Sequence, residues 1–301
     1  MYQMVQITAK NSTCIFLLTV EPGRFYRPGE FRKGSHTGVP LDMVIEASGL
    51  TRGFGGLVAV DGYSLRMAKG DLVGLIGPNG AGKTTAFNLL TGVLKPSFGS
   101  IVIQGRDLTG RPPHVMARSG LARTFQNVRL FNDLSVLENV MCGGHVRYGA
   151  SLTATLAQLP SFWRSERRIA ARSTAIIERT GLSALLHRRA GDLSYGDQRR
   201  VEIARALAGE PAALLLDEPA AGLNSSESRI LVDLIRKVNE ELAISVLVVE
   251  HDMHLIMDLC RRVQVLNRGK LVAEGTPEQV QADPAVIEAY LGTRRRSAGR
   301  A

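Results

Sequence analysis

The sequence predicts an α/β fold, and three observations carry that expectation. Apolar runs at Leu72–Ile76, Leu214–Leu216 and Ser245–Val249 have the length and composition of strands buried on both faces. Between the last two, Ser226–Leu242 has helical spacing and many charges, which suits a surface crossover between parallel strands. The middle of the chain, residues 133–190, has few strand-like runs and long helix-compatible stretches, so it reads as a helical subdomain (about 130–198) set into the α/β core.

Taken in order, residues 1–42 scatter Gly, Pro and Arg without a stable period. They read as an extension, either a poorly ordered arm or a mispredicted segment ahead of a start at Met43. A strand pattern opens at Met43-Val44-Ile45-Glu46 and meets a turn-rich stretch at Thr51–Gly56. Leu72–Ile76 enters a glycine-rich loop, and Thr84–Leu90 reads as a helix. Helices are expected at Glu166–Arg179 and Arg199–Ala208. Val263–Leu266 and Leu271–Ala273 flank an Asn267-Arg268-Gly269 turn and suggest a hairpin. Thr276-Pro277-Glu278 opens a final helix with a cap, a first-turn proline and an acidic residue. The main domain is therefore 43–292, with a basic tail at 293–301.

Composition narrows the function classes. Apolar content of 45% and charge content of 22% are ordinary for a globular chain, which argues against disorder. Cys14, Cys142 and Cys260 are far apart and form no CxxC pair, so they read as small apolar fillers in a reducing compartment. Uninterrupted apolar stretches reach about seven residues, against the roughly 20 that a spanning helix needs. Cys14–Val20 faintly resembles a signal peptide, but Glu21-Pro22-Gly23 stands where a small-residue cleavage site should be. The net charge is +9, yet four arginines without an acid in the tail and a small excess in residues 1–42 carry most of it. The tail reads as a solvated end, and nucleic acid is not an expected partner.

Gly77-Pro78-Asn79-Gly80-Ala81-Gly82-Lys83-Thr84 matches the phosphate-loop pattern GxxxxGK[ST] in full. Its glycines let the backbone curl until N–H groups converge on phosphate oxygens, at the positive end of the next helix. Lys83 would neutralise the outer phosphates and the Thr84 hydroxyl would ligate Mg²⁺. Leu214-Leu215-Leu216-Asp217-Glu218 is an apolar strand that ends in two acids. Asp217 can reach the Mg²⁺ shell, and Glu218 is then placed to polarise an attacking water. Leu193-Ser194-Tyr195-Gly196-Asp197-Gln198 precedes a helix, and Ser194 with Gly196 forms a second anion-binding feature.

With these motifs in place, the chain resembles an ABC-type ATPase over residues 44–292. The resemblance implies a P-loop NTPase (RecA-like) core with an antiparallel β subdomain and an inserted α-helical subdomain. Ser194–Asp197 resembles the family signature, with Tyr195 and Asp197 replacing the usual glycine and glutamine. Gln126, in Arg123-Thr124-Phe125-Gln126-Asn127, is similar to the glutamine that senses Mg²⁺ and water and faces the membrane subunit. His251, in Val249-Glu250-His251-Asp252, resembles the switch histidine that contacts the γ-phosphate. Ala221-Gly222-Leu223-Asn224 resembles the D-loop, with Asn224 where many members have aspartate. Phe54 is placed like the aromatic that stacks on adenine. Thr85 closes the ATP-binding loop.

The resemblance further implies a head-to-tail pair with a second ATPase subunit, in which Ser194, Tyr195, Gly196 and Asp197 contact ATP bound by the partner. Finer features point to one subgroup. Leu130-Phe131, Glu218-Pro219-Ala220-Ala221-Gly222-Leu223-Asn224, Asp197-Gln198-Arg199-Arg200, Gly275-Thr276-Pro277-Glu278 and Ala289-Tyr290-Leu291-Gly292 look like the ATP-binding subunit of branched-chain amino-acid importers. That system implies two transmembrane permease subunits and a solute-binding protein, with this chain on the cytoplasmic face of the inner membrane. A urea or amide importer is the nearest rival. A soluble ABC ATPase is remote, because the chain has one such domain and no sustained heptads.

Overall fold

The computed structural model describes residues 2–9, 12–19 and 43–290. The remainder of the 1–42 extension, Leu291-Gly292 and the basic tail at 293–301 lie outside the described residues. Within the first 39 residues, β1 (Tyr2–Ala9) and β2 (Ser12–Thr19) pair antiparallel from Tyr2↔Thr19 to Ala9↔Ser12. The hairpin forms although its sequence shows no stable period. Both segments are rich in β-branched, aromatic and long apolar residues, which favour a pleated strand.

The second unit holds two sheets. β3 (Met43–Phe54) and β4 (Leu57–Ala68) form a long antiparallel pair, and β5 (Leu72–Ile76) follows, buried along its whole length. After α1 (Lys83–Leu90), β6 (Phe98–Ile103) and β7 (Arg106–Asp107) complete a four-stranded sheet of order β4-β3-β6-β7. The strand β3 runs on through Thr51–Phe54, where a turn was expected. Register shifts in its pairing with β4 absorb the irregularity, and the Thr51 hydroxyl accepts the Gly62 N–H at 3.0 Å.

The chain then adds α2 (Pro113–Arg118), β8 (Leu121–Arg123), α3 (Val136–Tyr148), α4 (Leu152–Leu156), α5 (Pro160–Arg179) and α6 (Tyr195–Leu207). Next come β9 (Ala213–Asp217), α7 (Ser225–Leu242), β10 (Ser245–Val249), α8 (Met253–Leu259), the hairpin β11 (Arg262–Asn267) and β12 (Lys270–Gly275), and α9 (Pro277–Ala282). The second sheet has order β12-β11-β5-β10-β9-β8, with β12 antiparallel to β11 and every other neighbouring pair parallel. The strands β3, β4 and β6 with α1 close one face of this sheet around Phe87, Leu89 and Ile101, and α6, α7 and α8 close the other. That double cover is why β5, β9 and β10 are buried at every position.

A third apolar cluster, around Val136, Ile177, Leu182, Val201 and Ala204, holds α3, α5 and α6 together as the helical subdomain. Two helices start a turn or more earlier than the sequence suggests. Pro160 occupies the first turn of α5, ahead of Glu166. The helix α6 starts at Tyr195 rather than Arg199, because the Ser194 side chain accepts the Asp197 N–H at 3.2 Å and caps it. Among the described residues, no helix is long and apolar enough to cross a membrane.

Candidate functional site

Because β5, β8, β9 and β10 run parallel, their carboxyl ends share one edge of the sheet, and each is followed by one of the singled-out motifs. Ligands of open α/β sheets bind at that edge. The phosphate loop leaves β5 at Gly77, where φ is +153° and a Cβ would lie 2.1 Å from the Leu266 carbonyl. At Gly82, with φ +104°, a Cβ would lie 2.5 Å from the Ala59 carbonyl. Only glycine lets the loop pass so close to the backbones of β11 and β4. Pro78 and Ala81 close a turn (Ala81 N–H to Pro78 C=O, 3.1 Å), and Gly269 N–H donates to Ala81 C=O at 2.8 Å. Asn79 and Gly80 are exposed at its tip.

Gly82 caps α1 without a side-chain acceptor, and the first turn of α1 holds no acid. Its N-terminal N–H groups are therefore offered to an anion. Thr84 is exposed and Thr85 half-buried in that turn. Lys83 is buried and folded back, donating to the Gly77 carbonyl at 2.6 Å and to the Pro78 carbonyl at 3.2 Å. Burial lowers its pKa, while Glu218, Asp217 and Glu250 pull it up. An ammonium with carbonyl partners alone is ready to gain a phosphate.

Asp217 ends β9, almost fully buried, and Glu218 follows in a left-handed conformation (φ +44°). The Glu218 N–H donates to the Val249 carbonyl at 2.8 Å, which anchors this unfavourable backbone to β10. Burial raises the Asp217 pKa, and Arg123, Lys83 and Arg199 oppose it. Gln126, just past β8, donates from Nε2 to Glu218 Oε2 at 2.9 Å. His251 Nδ1 lies 3.9 Å from Glu218 Oε1 and 3.7 Å from Glu250 Oε2. Lys83, Gln126, Asp217, Glu218 and His251 thus meet at one edge.

Other residues stand apart. Phe54 is 46% exposed at the end of β3, with the Arg52 guanidinium 5.2 Å over its ring. No hydrogen bond among the described residues joins Ser194–Asp197 to the phosphate loop. Instead a Cβ on Gly196 would sit 3.0 Å from Glu227, the Tyr195 ring lies beside Gly222, and Asp197 pairs with Arg200. Asn224 caps α7, accepting the Ser226 and Glu227 N–H groups at 3.0 Å.

One acid escaped the sequence reading of roles. Glu250 is 1% exposed and accepts the Ala220 N–H at 3.0 Å and the His251 N–H at 3.2 Å. Burial raises its pKa, and those two N–H groups oppose the shift. The loops after Glu218 and before His251 therefore end on one carboxylate. The clue was an acid directly after a five-residue apolar strand, the same pattern that singled out Asp217.

A phosphate-cradling loop beside acid-ended strands on one parallel-sheet edge defines a P-loop nucleotide-binding protein. Residues 60–221 match the ABC transporter family, and the chain belongs to that family. Residues 270–295 match the branched-chain amino acid ATP-binding cassette transporter family. The chain is 46% identical over 249 residues to the high-affinity branched-chain amino acid transport ATP-binding protein BraF of Pseudomonas aeruginosa, covering 83% of this chain and 98% of that one. It is 45% identical over 249 residues to LivG of Escherichia coli, of the same description and coverage. A lipopolysaccharide export system ATP-binding protein of Acidithiobacillus ferridurans is 36% identical over 84% of this chain and 98% of its own. Among solved structures, the ADP conformation of an ATP-binding cassette of an ABC transporter superposes with TM-score 0.73 at 31% identity, covering 83% of this chain and 99% of that one.

Proposed function

We propose that this chain binds and hydrolyses ATP to drive a branched-chain amino-acid importer. The hydrogen bond from Gln126 to Glu218 beside the phosphate loop is the observation that carries the hydrolytic part. It aims the acid that follows Asp217 across the mouth of the loop. Gly77–Thr85 wraps the phosphates with N–H groups, and Lys83 moves from its two carbonyls onto the outer phosphate oxygens. Glu218 orients water and takes its proton as the oxygen attacks, while Lys83 and His251 stabilise the charge that develops on the transferred phosphoryl group. Phe54 offers a ring face to the adenine.

The residues present fit Mg²⁺. Asp217 is a nearly buried carboxylate without an ion pair among the described residues, and Thr84 offers an exposed hydroxyl on the adjoining turn. Mg²⁺ sites of this type take one or two carboxylates and complete their shell with substrate phosphate and water. Thr84, Asp217 and Gln126 would hold the ion, which neutralises phosphate charge when bound.

The signature residues Ser194, Tyr195, Gly196 and Asp197 serve ATP on a second ATPase subunit, in a head-to-tail dimer. The cargo reading rests on the match at 270–295 and on the relatives of Pseudomonas and Escherichia, which are nearer in identity than the lipopolysaccharide export protein. It implies two permease subunits, a solute-binding protein and a place on the cytoplasmic face of the inner membrane. Co-purification with those subunits, followed by identification of the bound solute, tests the cargo. For the chemistry, Glu218→Gln is expected to keep ATP affinity and lower phosphate release by about a hundredfold or more. Near-normal turnover would remove Glu218 from its role.

A further inference from the structure

The segment Ser194–Asp197 and Gln126 are separated by some 70 residues of chain, yet the helix that starts at one holds the backbone of the other. Arg199 lies in the second turn of α6 with its side chain 2% exposed. From Nη1 it donates to the Phe125 carbonyl at 2.8 Å and to Glu202 Oε2 at 3.3 Å. From Nη2 it donates to the Gln126 carbonyl and, at 2.8 Å, to the Tyr195 hydroxyl. Glu202, equally buried, accepts the Phe125 N–H through Oε1 at 3.4 Å. Three backbone groups of Phe125 and Gln126 therefore end on one ion pair of α6.

This arrangement is costly to bury, and an apolar pair of the same volume is often as stable. What apolar side chains cannot do is fix polar backbone at a defined place. The guanidinium is a rigid fork, and here its two prongs grip successive carbonyls. Gln126 is the residue so gripped, and its side chain reaches Glu218 Oε2 at 2.9 Å. Tyr195, on the same guanidinium, is the second residue of the signature and rests beside Gly222.

We propose that Arg199 and Glu202 are positioning residues that set Gln126 against Glu218 and tie that placement to the first turn of α6. A ligand that seats on Ser194–Gly196 thereby acts on the hydrolytic geometry of the same chain. The proposal rests on the reading of Glu218 as the water-orienting acid.

The test is ATP hydrolysis by the full-length protein, with the Glu218→Gln protein as the reference for background. If wild type and Glu218→Gln release phosphate equally, the underlying reading fails first and separately. Otherwise the double variant Arg199→Met with Glu202→Leu removes the pair without leaving a lone buried charge. Its kcat is expected to fall tenfold or more, with KM for ATP within about threefold, because the phosphate loop is untouched. Gln126→Ala should cost wild type tenfold or more and cost the double variant less than twofold, since the glutamine is already misplaced there. A folded double variant within twofold of wild type overturns the proposal, as does an equal Gln126→Ala effect in both backgrounds. Arg199→Lys covers the case of a misfolded double variant. It keeps the charge but cannot fork, so kcat should drop at least threefold at unchanged KM, and wild-type kcat there overturns the proposal too.

Discussion

At the scale of single residues, the site is a set of groups each held slightly off its comfortable state. Lys83 is buried with carbonyl partners, Asp217 and Glu250 have pKa values raised by burial, and Glu218 adopts a left-handed backbone. Such groups gain more from a charged ligand than exposed ones would, because little water competes with it. Phe54 is the counter-case, since one face carries Arg52 and the side chain is half exposed. Its removal should therefore affect binding rather than chemistry. Phe54→Ala is expected to weaken ATP binding about two- to tenfold, from roughly 0.5–1.5 kcal/mol of stacking, with kcat at saturating ATP unchanged. Titration with a fluorescent ATP analogue reads this directly, and an unaltered affinity would assign Phe54 to the hairpin alone. Lys83, Asp217 and Glu218 stand out in the sequence because each sits in a motif with its own chemistry, and His251 stands out only through the family resemblance. Arg199 and Glu202 do not, since a charged pair on a helix ordinarily reads as a solvated face.

At the scale of elements, strand ends and helix starts decide what meets what. Ser194, Ser135, Asn224 and Thr276 each cap a helix, so the chain enters α6, α3, α7 and α9 at defined points. The helical subdomain has in addition an ionic clasp. His145 on α3 faces the Met141 carbonyl at 2.8 Å through Nδ1 and Glu166 on α5 at 2.9 Å through Nε2. Both partners are acceptors, which suits the doubly protonated ring. Burial alone would lower the His145 pKa, but Glu166 and the Met141 carbonyl raise it above its ordinary 6.5. A folded-state pKa above the unfolded one means stability fully present below about pH 6.5 and lost as pH climbs through the raised value. Wild type should thus melt roughly 2–4 °C above Glu166→Gln at pH 6, with the gap closing by pH 9. A gap that stays constant across that range would show that His145 does not titrate there. The strands β5 and β10 match their predicted limits, because a five-residue apolar run bounded by turns has one reading. The starts of α5 and α6 did not, because Pro160 and Ser194 define them through local backbone geometry rather than period.

For the whole molecule, the proposed head-to-tail pairing has the clearest readout. The phosphate loop and Ser194–Asp197 share no hydrogen bond among the described residues, and the signature lies in the helical subdomain. With ATP and Glu218→Gln, the protein, alone or with its ATPase partner, is expected to migrate at twice the mass it has with ADP. Ser194→Glu in the same background should abolish that shift, because a carboxylate would face the partner's phosphates. Light scattering on a sizing column reads both. A monomer under every condition, with or without the second ATPase subunit, would refute the composite site.

The sequence by itself determined the class of protein, since GxxxxGK[ST] and an acid-ended strand are local patterns whose chemistry depends on residue type and short spacing, and the family resemblance adds His251 to them. It also carried the α/β architecture, because short, predominantly apolar strand runs are stable only under cover on both faces. Only the tertiary structure decided which groups answer to one another. The strand order placed β10 between β5 and β9, which brought Glu250 to the loops that flank Glu218 and His251. The packing of α6 turned Arg199 inward onto the backbone of Gln126. Those contacts join residues far apart in the chain, and no period or motif encodes the distance between two ends brought together by folding.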